Sequence, residues 1–577
     1  MWYLWAEHKR NANGCEAAQP SGIRRLPGSI ILHLMHDAPQ APKPAPFSPK
    51  NFPWRLRIIA LLIVAGFLAV LVRLFYIQIL RGADLREKAR KQYEAKIELR
   101  AERGKILDRN GTIIAETIQS ASFAADPKML EHSDDVIALL ARCSGIEAGV
   151  LKAKVEAARS RNFVWLARGL NVNAVSMLDS ITDPGFIRLS EPRRNYVHGS
   201  MAAQLIGCTD VDNRGLAGIE LALDSLLRGQ SGIAVMQRDG RGRMRPGVNN
   251  IVQPAQHGHN VQLTLDAELQ QIVEYELRTG IEKSRAVSGT AIALNPATGE
   301  VIALASYPVY DPNVMGVQRS ADAMRLRAIT DMYEPGSTFK LVTSAIALEQ
   351  KSISPETMVD GLNGEMRFSD GSVITDHEPM STVTLTEALE KSSNIVFAKL
   401  AHAQQNATLY RYTRNFGFGI PTGFDIPGEV RGLLKKPNEF DRSTKLFMGF
   451  GYQLAATALQ MANCYAAIAN NGVLMRPYIV KSITDANGKT LLETQPQSVR
   501  RVVSAATAQT LRSMFTSVVE RGTGMEAKVR GLTIAGKTGT AQNIRSQFLK
   551  NLVNSEHPMV CVRSMPSFLS DKKYRIV

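Results

Sequence analysis

Residues 333–350 read YEPGSTFKLVTSAIALEQ, and everything else about the chain is best read outward from them. Pro335 and Gly336 break the chain just ahead of an apolar-periodic run, so the pattern predicts a helix that opens at Ser337. Residues three apart share a helix face, which puts Lys340 beside Ser337. A serine hydroxyl is a poor nucleophile until a base takes its proton. A lysine can be that base only if burial or a neighbouring cation lowers its pKa. The helix N-terminus adds a positive dipole end where an oxyanion would develop. Alone the S-x-x-K pattern says little, because a chain of this length holds roughly two by chance. A second match, Ser570 to Lys573, lies in a tail without periodicity.

Two further elements give the first one weight. Ser392-Ser393-Asn394 follows TLTEALEK, a short helix whose start at Thr384 and Glu387 has the capping-box spacing. The triplet therefore falls on a helix-to-helix connection able to aim polar side chains into a cleft. There Ser392 can shuttle a proton to a leaving amine and Asn394 can hold a substrate amide. Lys537-Thr538-Gly539-Thr540 lies on the last strand pattern, LTIAGKTGTAQ. Gly539 permits close backbone approach, and Lys537 offers a cation to a carboxylate. The charge of Lys537 would also depress the pKa of Lys340.

Around these motifs the pattern is layered. VQLTL (261–265) reads as a strand, and Asp266 is a good N-cap for a helix through AELQQIVEYEL. TAIALNPATGEVIALAS alternates apolar residues about a turn at Thr298-Gly299. Strands, a block of helices and a final strand predict an α+β domain over 256–542, with helices packed on a mostly antiparallel sheet. A boundary falls near VQPAQHGHN. Before it, residues 81–255 mix short elements with glycine-rich turns, and RGKILDRNGTIIAET reads as a hairpin about Asn110-Gly111.

Ile58 to Leu80 runs IIALLIVAGFLAVLVRLFYIQIL, long enough to cross a bilayer. Arg73 interrupts it near one end, where a long side chain reaches the interface beside Phe75 and Tyr76. No small-residue cleavage site follows, so residues 57–80 read as an uncleaved transmembrane anchor. Charge is balanced on its two flanks, but the size asymmetry favours a short cytoplasmic tail and a large exported body. Residues 1–56 are rich in proline, alanine and histidine and read as a disordered cytoplasmic tail.

The formal charge of +16 over 577 residues is spread out. Its densest stretches are Arg81 to Lys91 and QRDGRGRMRPG, the latter read as a solvated turn because no aromatics interleave for base stacking. Nucleic acid is not an expected partner. Five cysteines lie far apart without a C-x-x-C pair, and no histidines stand at metal-ligand spacing, so no metal site is expected. Cys464 reads as a small core residue in a helix ending at Asn471-Gly472.

The order S-x-x-K, S-x-N, K-T-G is that of penicillin-recognising enzymes. With RGKILDRNGTIIA, RRNYVHGSMAAQLIG, GLAGIELALDSLLRGQSG, NPATGEVIALASYPVYDPN, RAITDMYEPGSTFK, FGFGIPTGFDIPGE and MGFGYQLAATALQMANCYAAIANNG, the sequence resembles the class B penicillin-binding proteins over roughly residues 55–542. Within them it is most similar to the cell-division (FtsI-like) peptidoglycan D,D-transpeptidases. That resemblance implies a pedestal (dimerisation-type) domain followed by a transpeptidase domain. It implies Ser337 as acylated nucleophile, Lys340 as its base, Ser392 and Asn394 as the second motif, and Lys537, Thr538, Gly539 and Thr540 as the substrate-binding third. The oxyanion hole would be the N–H groups of Ser337 and Thr540. Implied partners are peptidoglycan stem peptides, β-lactams, the inner membrane and other cell-division proteins including a lipid II polymerase. No cofactor is implied. A catalytically impaired division scaffold and an elongation-type transpeptidase are the alternatives.

The sequence also departs from the family. Val197 stands where proline is common and Gln204 where histidine is usual. After Gln542 the family continues with a glycine-phenylalanine-alanine-proline segment and two strands that complete the central sheet. Residues 543–577 show none of that pattern and read as an atypical, substituted C-terminal tail in which only PMVCV is strand-like. The strand carrying Lys537 is accordingly expected to become an exposed edge, with a loss of stability and activity.

Overall fold

The computed structural model describes residues 53–158, 163–170, 175–178, 181–238, 244–314, 320–369, 371, 373–540 and 559–563. Residues 1–52 of the tail expected to be disordered, the QRDGRGRMRPG turn at 239–243 and most of the atypical C-terminal segment lie outside these residues, while 53–56, expected to be disordered, are helical and open α1. The chain divides into two units after Gln92.

In the first unit, α1 (Pro53–Phe75) runs into a π-helical turn, Tyr76–Leu80, and α2 (Gly82–Tyr93) follows. Trp54–Leu80 forms a 27-residue apolar span with a window of mean hydropathy 2.8. No other helix among the described residues is long and apolar enough to cross a membrane. The Arg73 guanidinium lies 5.6 Å from the centre of the Tyr76 ring, so the charge that interrupts the apolar run Ile58–Leu80 is held against an aromatic.

The second unit begins with β1 (Glu94–Leu99), which joins β6 (Gly232–Arg238) and β7 (Met244–Gln253) in an antiparallel sheet. The expected hairpin is β2 (Ile106–Leu107) and β3 (Ile113–Ala125). Gly111 takes a φ of +90°, and the Asp108 carboxylate accepts from the N–H groups of Asn110 and Thr112 to tie the turn. β4 (Val164–Leu170) and β5 (Phe186–Tyr196) both pair antiparallel with β3. With α3 (Ser133–Ser144) and α4 (Ala148–Ala157) they enclose a small core of Phe123, Ile137, Leu140, Leu151 and Leu166.

Three short helices, α5 (Ala203–Ile206), α6 (Gly218–Ala222) and α7 (Asp224–Leu227), frame a buried ion cluster. Glu220 accepts from Arg103 at 2.6 Å and from Arg194 at 2.7 Å, and Arg103 also reaches Asp224 at 2.7 Å. Three of the family-like stretches meet at this cluster. Gln204 donates to the carbonyls of Pro308 and Ala323 at 2.8 and 3.0 Å, so the glutamine amide satisfies two buried acceptors at once.

β8 (Asn260–Leu263) lies parallel to β2 and antiparallel to β18 (Val480–Thr484), which carries β19 (Thr490–Glu493). One seven-stranded sheet, β19-β18-β8-β2-β3-β4 with β5 also on β3, therefore crosses the sequence boundary expected at 255/256. Asp266 caps α8 (Ala267–Ser284) by accepting from Leu269 N. β9 (Gly289–Leu294) and β10 (Val301–Tyr307) form the second expected hairpin. The outer edge of β10 is closed by Gln270, whose amide exchanges hydrogen bonds with Leu304 N and O at 2.8 and 2.9 Å.

The chain continues through α9 (Arg327–Thr330), α10 (Lys340–Glu349) and the small strands β11 (Met358–Asp360), β12 (Glu365–Arg367), β13 (Val373–Thr375) and β14 (Thr382–Thr384). Next come α11 (Leu385–Glu390), α12 (Asn394–Ala403), α13 (Asn406–Asn415), β15 (Leu433–Leu434), α14 (Arg442–Met448), β16 (Leu454–Ala455) and α15 (Ala458–Ala469). β17 (Val473–Met475) and β20 (Ser498–Arg501) flank β18 and β19, and α16 (Ala505–Arg521) leads to β21 (Ile534–Thr538). Lys340 through Ala347 of α10 are all buried, with α12, α13 and α16 packed around them. Cys464 is fully buried in α15, as expected.

The expected bare edge beside Lys537 is not found. β22 (Met559–Arg563) pairs antiparallel with the whole of β21, from Ile534↔Arg563 to Thr538↔Met559. Ladder hydrogen bonds come from the backbone, so a short strand-forming run supplies them whatever its side chains. Among the described residues β21 has β22, and β9 has β10, as its sole strand partner, so each keeps one edge without a strand.

Candidate active site

Gly336–Phe339 forms one turn of 3-10 helix that continues directly into α10. In that geometry residues i and i+3 eclipse, which aligns Ser337 and Lys340 more closely than an α-helical turn does. Gly336 makes the entry possible. Its φ is +54°, and a Cβ there would stand 2.0 Å from the carbonyl oxygen of Thr540. The same contact shows that the third motif lies against the turn that presents Ser337.

All three sequence motifs converge. Lys340 Nζ lies 3.0 Å from Ser337 Oγ, 3.1 Å from Ser392 Oγ, 2.6 Å from Ser392 O and 2.9 Å from Asn394 Oδ1. Lys537 Nζ reaches Ser392 Oγ at 2.8 Å and Thr538 O at 3.1 Å. Ser392 holds φ at +60°, an uncommon setting for a non-glycine residue, and so turns its hydroxyl and its carbonyl toward the same amine. α11, opened by the expected Thr384–Glu387 capping box, ends just before it, and Ser393 caps α12 by accepting from Val396 N.

Both lysines are out of water, Lys340 at 0% and Lys537 at 1% exposure. Burial pulls Lys340 well below the ordinary lysine value, and the neighbouring Lys537 charge pulls it further, while Asp376 opposes them. Burial alone brings Lys537 down to about 7. A neutral lysine has two N–H donors and one lone pair. Ser392 O and Asn394 Oδ1 can only accept and so take both hydrogens, which leaves the lone pair of Lys340 for a hydroxyl proton. The half-buried Ser337 stands at that position.

Asn394 also donates through Nδ2 to Thr375 O at 2.9 Å. Its Oδ1 is thus engaged by Lys340, while Nδ2 keeps a second hydrogen that can go to a substrate amide carbonyl without leaving Thr375. Thr538 Oγ1 bonds Thr523 Oγ1 at 2.9 Å. Gly539 packs so tightly on Thr338 that a Cβ would meet Thr338 Cγ2 at 2.7 Å. The N–H groups of Ser337 and Thr540 have no hydrogen-bond partner among the described residues.

Asp376 is the residue that sequence reasoning missed. Its Oδ2 accepts from Ser393 Oγ at 2.6 Å, and its Oδ1 accepts from the N–H groups of Asn394 and Ile395. It thereby anchors the second motif and places a negative charge at the N-terminus of α12. In the sequence it is one aspartate in VITDHEP, far from the triplet and without a telling spacing. No group of histidine, cysteine and carboxylate side chains among the described residues could hold a metal ion.

Residues 289–559 match the penicillin binding protein transpeptidase domain, and residues 98–263 match the penicillin-binding protein dimerisation domain. The chain is 34% identical to penicillin-binding protein PbpB of Mycolicibacterium smegmatis, over 85% of this chain and 80% of that one. It is 31% identical to the peptidoglycan D,D-transpeptidase FtsI of Escherichia coli, over 85% and 82%. Penicillin-binding protein 3 of Mycobacterium tuberculosis, solved in complex with aztreonam, superposes with a TM-score of 0.59 at 30% identity, covering 78% of this chain and 83% of that one.

Proposed function

The chain belongs to the class B penicillin-binding proteins, a transpeptidase family, and from that premise we propose that it cross-links peptidoglycan stem peptides during septal wall synthesis through an acyl-enzyme on Ser337. The observation that carries this reading is the unbroken chain Ser337 Oγ, Lys340 Nζ, Ser392 Oγ, Lys537 Nζ, with links of 3.0, 3.1 and 2.8 Å. It joins a nucleophile, a neutral base, a relay hydroxyl and a cation in one hydrogen-bonded row, the two lysines buried and the two serines half-buried.

In the first half-reaction Ser337 Oγ attacks the carbonyl carbon of the D-alanyl-D-alanine bond, and its proton passes to Lys340 Nζ. The N–H groups of Ser337 and Thr540 receive the oxyanion. The C–N bond then breaks, and the leaving D-alanine amine takes the proton from Lys340, directly or through Ser392 Oγ. In the second half an amine on a neighbouring strand attacks the ester, and its proton returns along the same path to Ser337 Oγ as the cross-link forms. Lys537, Thr538 and Thr540 hold the terminal carboxylate, and Gly539 lets the strand come close. Asn394 positions Lys340. β-Lactams enter the same first step and stall there as esters.

We place α1 in the inner membrane with the second unit in the periplasm, beside other division proteins including a lipid II polymerase. The similarity to FtsI supports the septal assignment, and an elongation-type enzyme would be told apart by its position in the cell. A second reading, an impaired scaffold, draws on the unpaired β9 edge. The test is labelling of the full chain with a fluorescent penicillin, with the adduct located by mass spectrometry and Ser337→Ala as control. One stable adduct on Ser337, with wall cross-linking lost in the alanine variant, is expected. A folded protein that takes no label makes the scaffold the better reading.

A further inference from the structure

A cavity of about 210 Å³ opens where the turn after β5 meets α8 and the end of β10. His198 and Ser200 reach it from the turn, Glu274, Tyr275 and Arg278 from α8, and Ser306 from β10. None of them belongs to the Ser337 constellation. The polar groups here are unusually poor in partners. Ser306 is 3% exposed, yet its Oγ has no hydrogen-bond partner, and buried His198 Nε2 has none either. Glu274, which lines the cavity, accepts from Ala202 N at 2.6 Å and Gln270 Nε2 at 2.7 Å, both on Oε1, and Oε2 has no hydrogen-bond partner among the described residues. Burial pushes the Glu274 carboxyl above the usual carboxylate range. Arg278, one helical turn further on, stands exposed at the rim; its charge partly offsets the effect of burial on Glu274, and it forms no close ion pair among the described residues.

Buried polar groups without partners call for an explanation, and a polar ligand is one. The size is informative. A dry cavity of about 150 Å³ is enough for benzene, so this one takes an amino acid or a dipeptide but not a wall strand. The charges are also informative. Glu274 and Arg278 stand four residues apart on one helix face, a spacing of roughly 5–6 Å between Cβ atoms, which suits the two ends of one small molecule. A simple amine leaves Arg278 unanswered, and a simple carboxylate meets Glu274. We propose that this cavity is a binding site for a small amino-acid zwitterion, with its ammonium on Glu274, its carboxylate on Arg278, and Ser306 and His198 supplying hydrogen bonds.

The site does not depend on acyl transfer, so it is tested on the full chain carrying Ser337→Ala, in detergent, by titration calorimetry. The probes are D-alanine and D-alanyl-D-alanine, with isopropylamine and propionate as single-charge controls. Saturable binding of a zwitterion is expected, at least tenfold tighter than either control. Arg278→Met and Glu274→Gln, each introduced separately, are expected to weaken it by tenfold or more. Arg278 is exposed, so its variant keeps the fold and remains decisive if Glu274→Gln loosens the link to Ala202. No saturable heat, equal binding of propionate, or zwitterion binding untouched by Arg278→Met overturns the proposal and leaves the cavity to bound water.

Discussion

The cations buried around Glu220 and those buried around Ser337 are handled in opposite ways. Arg103 and Arg194 have side chains 2% and 1% exposed and share Glu220 at 0%, with Asp224 as a second carboxylate. Two positive charges meet two negative ones. At the other site Lys340 and Lys537 are as deeply buried, and the one carboxylate acting on Lys340 is Asp376, whose oxygens already serve Ser393 Oγ and two backbone N–H groups. Arginine cannot shed its proton in a protein interior, so it must be matched by carboxylates, whereas a buried lysine can become neutral. The first cluster fixes architecture with permanent charge. The second keeps a proton that can move.

Removing the amine is the strongest way to probe the difference. Lys340→Met should slow acylation by a β-lactam by about 10²- to 10⁴-fold, the usual worth of a positioned general base, as followed by intact mass against time. The melting temperature should hold or rise, because the variant no longer buries an ammonium-capable group. A variant that acylates normally ends the assignment of Lys340 as base. Glu220→Gln tests the other side. It leaves two buried guanidinium groups with one full carboxylate fewer, a change of about 3–5 kcal/mol for a broken buried pair, read by chemical denaturation. Acylation of the fraction that remains folded should be unchanged. A loss below about 1 kcal/mol would mean that water already reaches the arginines.

The contrast was only partly legible in the sequence. The three motifs are local, so Ser337, Lys340, Ser392, Asn394, Lys537 and Thr538 could be named from spacing and turn chemistry, as could the two hairpins and the apolar span, read as 57–80 and found as Trp54–Leu80. The left-handed setting of Ser392 and the bonds of Asp376 arise from tertiary packing across long gaps, and no periodicity records them. The continuous sheet was hidden for a related reason: β2 is two residues long, too short to read as the seam between β3 and β8. The pairing of β21 with β22 escaped because sequence comparison weighs side chains and ladders do not. Asp376 therefore gives the third test. Asp376→Asn keeps the shape but loses the charge at the start of α12, and should cost about 1–2 kcal/mol in stability. It should also slow acylation by roughly tenfold through displacement of the second motif. Recovery of the rate without recovery of stability, in any second-site variant, would separate the two effects.

The smallest effect is also the most discriminating, because it depends on which cation can lose its proton. Lys537 has a folded pKa of about 7 against the ordinary 10.5. Between those values the unfolded chain binds the proton and the native chain does not, so this group's contribution to stability rises with pH across that window and is flat below it, and Lys340, also lowered by burial, adds a slope of the same sign. The arginine cluster adds no slope there, since its charge is constant. Buried Cys464 and Tyr465, both raised by burial, act the other way near and above their unfolded values of 9.0 and 10.0. Denaturation of the wild type should therefore show stability climbing from about pH 7 to about pH 8.5, by at most about 1.4 kcal/mol per unit for one such group. Lys537→Met should flatten the part of that slope due to Lys537. It should also move the acid limb of acylation to higher pH, because Lys340 loses the neighbouring charge that helps to strip its proton. An unchanged slope together with a moved acid limb would show that Lys537 stays charged throughout, and the second site would then hold a permanent charge like the first.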